Sequence, residues 1–285
     1  TDVKMQVVRN DEGSPSSGSS AVAAMVGLGL GMVLYMFLMI YGAMVMQSVI
    51  EEKSSRVLEV VVSSVRPFEL MMGKIFGVAS VAVVQVLIWA VLVCGAGAAV
   101  MPHVLPDGAM EAAAALQQGG GAATAAAGDF DPETLGAIAL ATDVGYLAML
   151  FGYLLLFVVG GYLLYSAMFA AVGSAVDNAQ DAAQLQTPIM IPIILAVIVE
   201  MSVLNDPNSP LAFWFSLIPF TSPVVMMARI PYDIPLWEVV LSLVVLYASF
   251  VGMVWFAAKI YRVGIFMYGK KPSLKELFKW IRYKY

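Results

Sequence analysis

SVIEEKSSRVLEVVVSSVRPFELMMGK, residues 48–74, is the stretch on which the fold turns. Val57, Leu58, Val61, Val62 and Val65 recur at helical spacing, while Glu51, Glu52, Lys53, Arg56 and Glu59 supply a polar side, with Glu52 four residues ahead of Arg56. The pattern predicts a short amphipathic helix over 48–65, lying at a membrane surface. Arg66-Pro67 should end it, because a residue before proline is pushed out of the α region. Phe68 onward then restarts as a helix that enters the membrane.

On both sides of this stretch the chain is apolar for about the 20 residues that a bilayer core of roughly 30 Å requires of a helix. Residues 21–47 precede it and 75–101 follow it, and three more runs, 144–172, 188–204 and 236–258, have the same character. The composition agrees: 61% of the 285 residues are hydrophobic and 12% charged, whereas soluble domains sit nearer half and a quarter. The expected fold is an all-α polytopic membrane protein with five visible spans.

Charge sets the orientation. No Lys or Arg occurs between Ile75 and Ala228, while Lys53, Arg56, Arg66 and Lys74 gather after the first span and eight basic residues follow from Lys259. Positive loops near span ends stay cytoplasmic. The 48–74 connection and the tail 259–285 are therefore expected inside a plasma or inner membrane. The N-terminus and the loop 102–142, with Asp107, Glu111, Asp129, Asp131 and Glu133, are expected outside. Residues 1–20, with GSPSSGSS at 13–20, read as a flexible extracytoplasmic linker. An outer N-terminus without a signal sequence implies that Thr1 is not the native start and that an upstream span exists. The Ala/Gly stretch 111–128 reads as a mobile outer loop.

Several chemistries are excluded by counting. Cys94 is the only cysteine and His103 the only histidine, so an intrachain disulfide, a cysteine cluster and paired histidine ligands are impossible. GIFMYGK at 264–270 imitates a phosphate-binding loop, but Lys271 replaces the Ser/Thr that would hold magnesium and no strand precedes it. No catalytic residue, metal site or nucleic-acid partner is expected in this chain.

A resemblance enters here. Glu51-Glu52-Lys53, Arg56-Val57-Leu58-Glu59, Ser63-Ser64-Val65-Arg66-Pro67 and Gly73-Lys74 look like the cytoplasmic connection of type-2 ATP-binding cassette (ABC) permeases, especially the NatB-like sodium-efflux permeases. Further matches are Gly173-Ser174, the run 180–186 (QDAAQLQ), the run 218–223 (IPFTSP) with Arg229, and 261–273. The resemblance covers nearly all of the chain after Ala21. It implies a six-span permease domain whose first span and large outer insert are missing here. The 48–65 helix would be the coupling element, with Glu51, Glu52, Lys53, Arg56 and Glu59 docking on a separate ATPase subunit. ATP and magnesium would belong to that subunit, and the permease would form a homodimer or heterodimer. From periodicity alone, the same helix could serve as an interfacial anchor.

Ionisable and polar groups at membrane depth are functional candidates, because burying a charge in lipid is costly. Glu200, late in the fourth span, and Gln85, inside the second, are the candidates for a substrate pathway; Asp143 begins the third span. For Glu200 the alternative is an outer headgroup contact. Pro219, Pro223 and Pro231 should break 214–233 into short pieces, a shallow re-entrant hairpin whose Arg229 could meet lipid phosphate or pair with Asp233 or Glu238. Ser273-Leu274-Lys275-Glu276 is a capping box, predicting a basic amphipathic helix in which Lys275, Lys279 and Arg282 meet anionic lipid. Its alternative is a tail that only sets topology. The expected function is export of a substrate, sodium among the candidates, driven by a partner ATPase. A non-transporting scaffold or, further off, an intramembrane enzyme is the alternative.

Overall fold

A long first helix, α1 (Ser17–Ser54), organises the bundle. It is apolar along nearly its whole length, the mark of a buried or membrane-spanning helix, and of its glycines Gly27, Gly31 and Gly42 lie on the buried side while Gly29 is exposed. Ala23, Gly27, Gly31, Leu34, Leu38, Gly42, Val45 and Val49 are buried at 3- and 4-residue spacing, while Met25, Met32, Met36, Ile40 and Met44 point outward. Gly27, Gly31 and Gly42 thus let neighbouring elements approach α1 closely between large buried residues such as Phe37 and Tyr41, as expected where close packing rather than water drives association.

The computed structural model describes residues 17–55, 64–105, 108–117, 132–267, 276–277 and 280. After α1 come α2 (Pro67–Val104), the short α3 (Ala109–Gln117) and α4 (Pro132–Thr142), then α5 (Val144–Ala175) and α6 (Ala179–Val203). Two-turn helices α7 (Pro210–Leu217) and α8 (Ser222–Arg229), a 3-10 turn (Ile230–Tyr232) and α9 (Leu236–Gly264) complete the order. Among the described residues, five helices are long and apolar enough to cross a membrane: within α1, within α2, α5, α6 and α9. The protein is an all-α polytopic membrane protein.

Glycines record how closely these helices approach. A Cβ on Gly42 would meet the Phe169 ring at 2.4 Å, and one on Gly173 would meet the Met46 carbonyl at 2.7 Å. Contacts rising together along both chains show that α1 and α5 run parallel. Leu246 against Gly160 and Gly264 against Ser174 place α9 parallel to them. By contrast α2 runs back along α1, with Trp89 edge-on to Phe37 at 5.2 Å and Lys74 donating to the Ser48 carbonyl.

Three expectations require correction. The helix expected to begin anew at 48 is the unbroken continuation of α1 to Ser54, because no proline or glycine follows Gly42 to stop it; residues 56–63, with Arg56 and Glu59, lie outside the described residues. The fourth span begins at Ala179, nine residues earlier than read, since Asn178 caps it by accepting from the Asp181 N–H and the helix runs through Pro188 and Pro192. The loop 102–142 contains two helices, and the described part of the Ala/Gly stretch, 111–117, is helical: Ala109, Ala112 and Ala113 of α3 are buried, and Ala109 and Ala113 pack with Ile138 of α4. Alanine has the highest helix propensity, so a run of it folds once any partner surface exists. Helix α2 starts at Pro67, as the Arg66-Pro67 step predicts.

Candidate functional site

The parallel helices α1, α5 and α9 end together, and Lys53 sits where they meet. Its ammonium donates to the Ser174 carbonyl at 2.8 Å and to the Gly264 carbonyl at 2.9 Å, and pairs with Asp177 Oδ1 at 3.0 Å. Ser174 and Gly264 lie in the last turns of α5 and α9, whose carbonyls have no partner within their own helices. Helix C-termini also carry negative partial charge. One cation therefore satisfies the Ser174 carbonyl, adds a donor to the Gly264 carbonyl, which also accepts from the Met267 N–H, offsets both helix dipoles and ties both helices to a third. All three ammonium hydrogens are used. Lys53 is fully buried, so it does not share the exposed polar side on which the sequence reading placed it.

Beside it, Lys74 of α2 pairs with Glu52 at 2.6 Å and donates to the hydroxyl and carbonyl of Ser48 at 2.9 and 3.1 Å. Glu52 thus binds α2 back to α1. Of the five residues read as docking groups, Glu51 is exposed, Glu52 is half-buried in this pair, Lys53 is internal, and Arg56 and Glu59 are outside the described residues.

At the opposite end a second cation is enclosed. Arg229, 1% exposed, donates from Nε to the Pro207 carbonyl at 2.8 Å and from Nη1 to Ser216 Oγ at 2.6 Å, and pairs with Glu238 Oε2 at 2.9 Å. Ser242 Oγ donates to the Ser216 carbonyl at 2.7 Å. The 204–209 loop, α7, α8 and α9 are locked by this one guanidinium, whose planar fork suits a buried pair. Of the acids considered from sequence, Glu238 is the partner. Helix α8 itself is buried at all eight positions, and its backbone passes directly over Gly27 and Gly31: Cβ atoms there would lie 2.4 Å from the Ala228 carbonyl and 3.2 Å from the Val224 carbonyl.

Glu200 occupies the junction of α1, α6 and α8. It is fully buried, and neither carboxylate oxygen has a hydrogen-bond partner among the described residues. Its Oε1 fills the space that a side chain on Gly31 would take, 2.1 Å from the Cβ position. The headgroup contact allowed by the sequence is thereby overturned: Glu200 faces the protein. Gln85 is elsewhere. It is half-buried and its side-chain oxygen accepts from the Tyr41 hydroxyl, ten residues and roughly 15 Å along α1 from Gly31. The two pathway candidates are not brought together. Asp143 is a helix cap, accepting from the Gly145 and Tyr146 N–H groups at 2.8 and 3.1 Å. Of the basic tail, Lys275, Lys279 and Arg282 lie outside the described residues, while Leu277 and Trp280 are buried against the bundle.

Sequence reading missed the internal role of Lys53 and the part played by Asp177. The available signal was the position of Lys53 at the end of a long apolar run, where a cation caps helix C-termini.

Comparison with known proteins agrees with this architecture. A family model described as ABC-2 family transporter protein matches residues 3–259. The chain is 28% identical over 246 residues to the uncharacterized protein YhaP of Bacillus subtilis, covering 86% of this chain and 52% of that protein. It is 26% identical over 260 residues to the uncharacterized protein MJ1024 of Methanocaldococcus jannaschii, covering 90% and 54%. The chain spans about half the length of these curated relatives. No solved structure matches it.

Proposed function

The chain belongs to the ABC-2 transporter family, and from that premise we propose that it is the permease part of an ATP-driven exporter whose ATP is hydrolysed by a separate subunit. The observation that carries this reading is the Lys53 tether. Nucleotide-driven closure of an ATPase moves membrane helices only through a rigid contact, and packed interfaces respond by switching rather than bending. Any displacement applied to the segment after Ser54 reaches α1 first. Through Lys53 it reaches the ends of α5 and α9 at once, and through Glu52–Lys74 it reaches α2. Exposed Glu51, with Arg56 and Glu59 beyond the turn at Ser55, supplies the docking charges in this reading.

The substrate passes the α1–α6–α8 junction. Glu200, a buried carboxylate without a partner, supports a cation as cargo, and sodium is the candidate that the family resemblance supplies. In this reading the connection at Ser55 and the tail face the cytoplasm, the Arg229 end faces outward, and two permeases pair around the pathway.

Reconstitution with the partner ATPase tests the proposal. Sodium uptake into inverted vesicles and substrate-stimulated ATP hydrolysis should both fall when Glu51, Arg56 and Glu59 are reversed in charge together. An intact complex that never moves substrate would identify a scaffold instead, and ATP hydrolysis by this chain alone would refute the reading.

A further inference from the structure

The side of the bundle between α5, α6 and α9 carries a cavity of about 790 Å³ that no polar group at the α1–α6–α8 junction lines. Val172, Leu185, Pro188, Gly252, Trp255 and Leu277 are among its walls. Its size falls within the range that encloses one small ligand. Along α9 it extends from Ser249 to Ile260, eleven residues or roughly 16 Å, close to half of a bilayer core about 30 Å thick. Its mouth faces outward, since Trp255 is 61% exposed and Gly252 is exposed with nothing within 4 Å of a Cβ placed on it.

The inner lip is cationic. Lys259 Nζ lies 3.7 Å above the Trp255 ring, and exposed Arg262 follows three residues later on the same side of α9. Among the described residues Lys259 has no carboxylate partner. Leu277 of the tail closes the same end of the groove. An apolar slot one leaflet deep, closed at one end by Leu277 and rimmed by two cations, matches one molecule type. We propose that this groove binds an anionic phospholipid of the Lys53-side leaflet, with an acyl chain along Gly252 and Pro188 and its phosphate on Lys259 and Arg262. The site is distinct from the Glu200 junction and does not depend on the transport reading.

Native mass spectrometry of the full chain, released from bilayers of equimolar phosphatidylglycerol and phosphatidylcholine, tests it. The wild type should retain one phosphatidylglycerol per chain, with a roughly tenfold preference over phosphatidylcholine from two surface cations. Gly252→Trp should remove the bound lipid while thermal unfolding stays unchanged, and Gly252→Ala should keep it. The pair Lys259→Gln and Arg262→Gln should keep a lipid but abolish the headgroup preference. Undiminished lipid on Gly252→Trp would overturn the proposal, as would equal headgroup retention in the wild type. A change from dimer to monomer on Gly252→Trp would also overturn it, by assigning the groove to a second copy of the chain.

Discussion

Glu200 and Gly31 share one space: the carboxylate of α6 sits where any side chain on α1 would have to go, its Oε1 2.1 Å from the Cβ position. Gly31→Ala should therefore destabilise the bundle by about 1–3 kcal/mol, the usual range for overpacking. The double variant Gly31→Ala with Glu200→Ala should recover most of that loss, since both effects arise at one contact. Thermal unfolding in mild detergent measures both; additive losses would show that the contact is not the cause.

Glu200→Gln keeps the shape and removes the ionisable group. We expect normal folding and export reduced at least roughly tenfold, equivalent to about 1.4 kcal/mol of lost transition-state stabilisation. Flux assays in proteoliposomes read it, and wild-type flux would remove Glu200 from the pathway.

Replacing Lys53 by Met removes a donor from two helix-end carbonyls and from Asp177. An orphaned buried acceptor costs about 1–3 kcal/mol, so Lys53→Met, which takes the donor from the Ser174 carbonyl, should lower Tm. Asp177→Asn should be milder, because Asp177 is 31% exposed and water can replace part of the contact. An unaltered Tm in Lys53→Met would show that the tether is not structural.

Arg229→Ala should be more damaging, at about 3–5 kcal/mol, because it strands the buried Glu238 and the Pro207 carbonyl. Pairing Arg229→Met with Glu238→Leu should recover stability, since well-packed apolar residues replace buried ion pairs at little loss. Expression yield and Tm distinguish the single from the double variant.

Orientation is tested by labelling. In a background with Cys94→Ala, an impermeant maleimide added to intact cells should modify Asn208→Cys and spare Ser55→Cys, both positions being exposed at opposite ends of the bundle. The reverse pattern would invert the topology.

The five spans were legible because their signal is collective: twenty apolar residues in succession outweigh any single position. The breaks at Pro67 and around Pro219 were legible for the same kind of reason, since proline acts through its own backbone. What escaped was decided by neighbours distant in sequence. Lys53 reads as a surface charge until α5 and α9 deliver their last carbonyls to it. The start of α6 at Ala179 hides in the polar run QDAAQLQ, whose cap, Asn178, is a single side chain. Ala109–Gln117 reads as low complexity because its stability comes from α4 and not from its own bulk. From sequence Arg229 suits lipid phosphate, Asp233 or Glu238 alike; only the tertiary arrangement selects Glu238.

Helix α8 has a consequence for biogenesis. Two turns cannot cross a bilayer, and all eight of its residues are covered by other parts of the chain. Its side chains are covered only once the neighbouring helices stand around it, and Arg229 finds its counter-charge only when α9 brings Glu238. It is thus a latecomer, seated only after α9 has been synthesised. Quality-control proteases that recognise an unseated α8 would be surveying the whole bundle through a single segment.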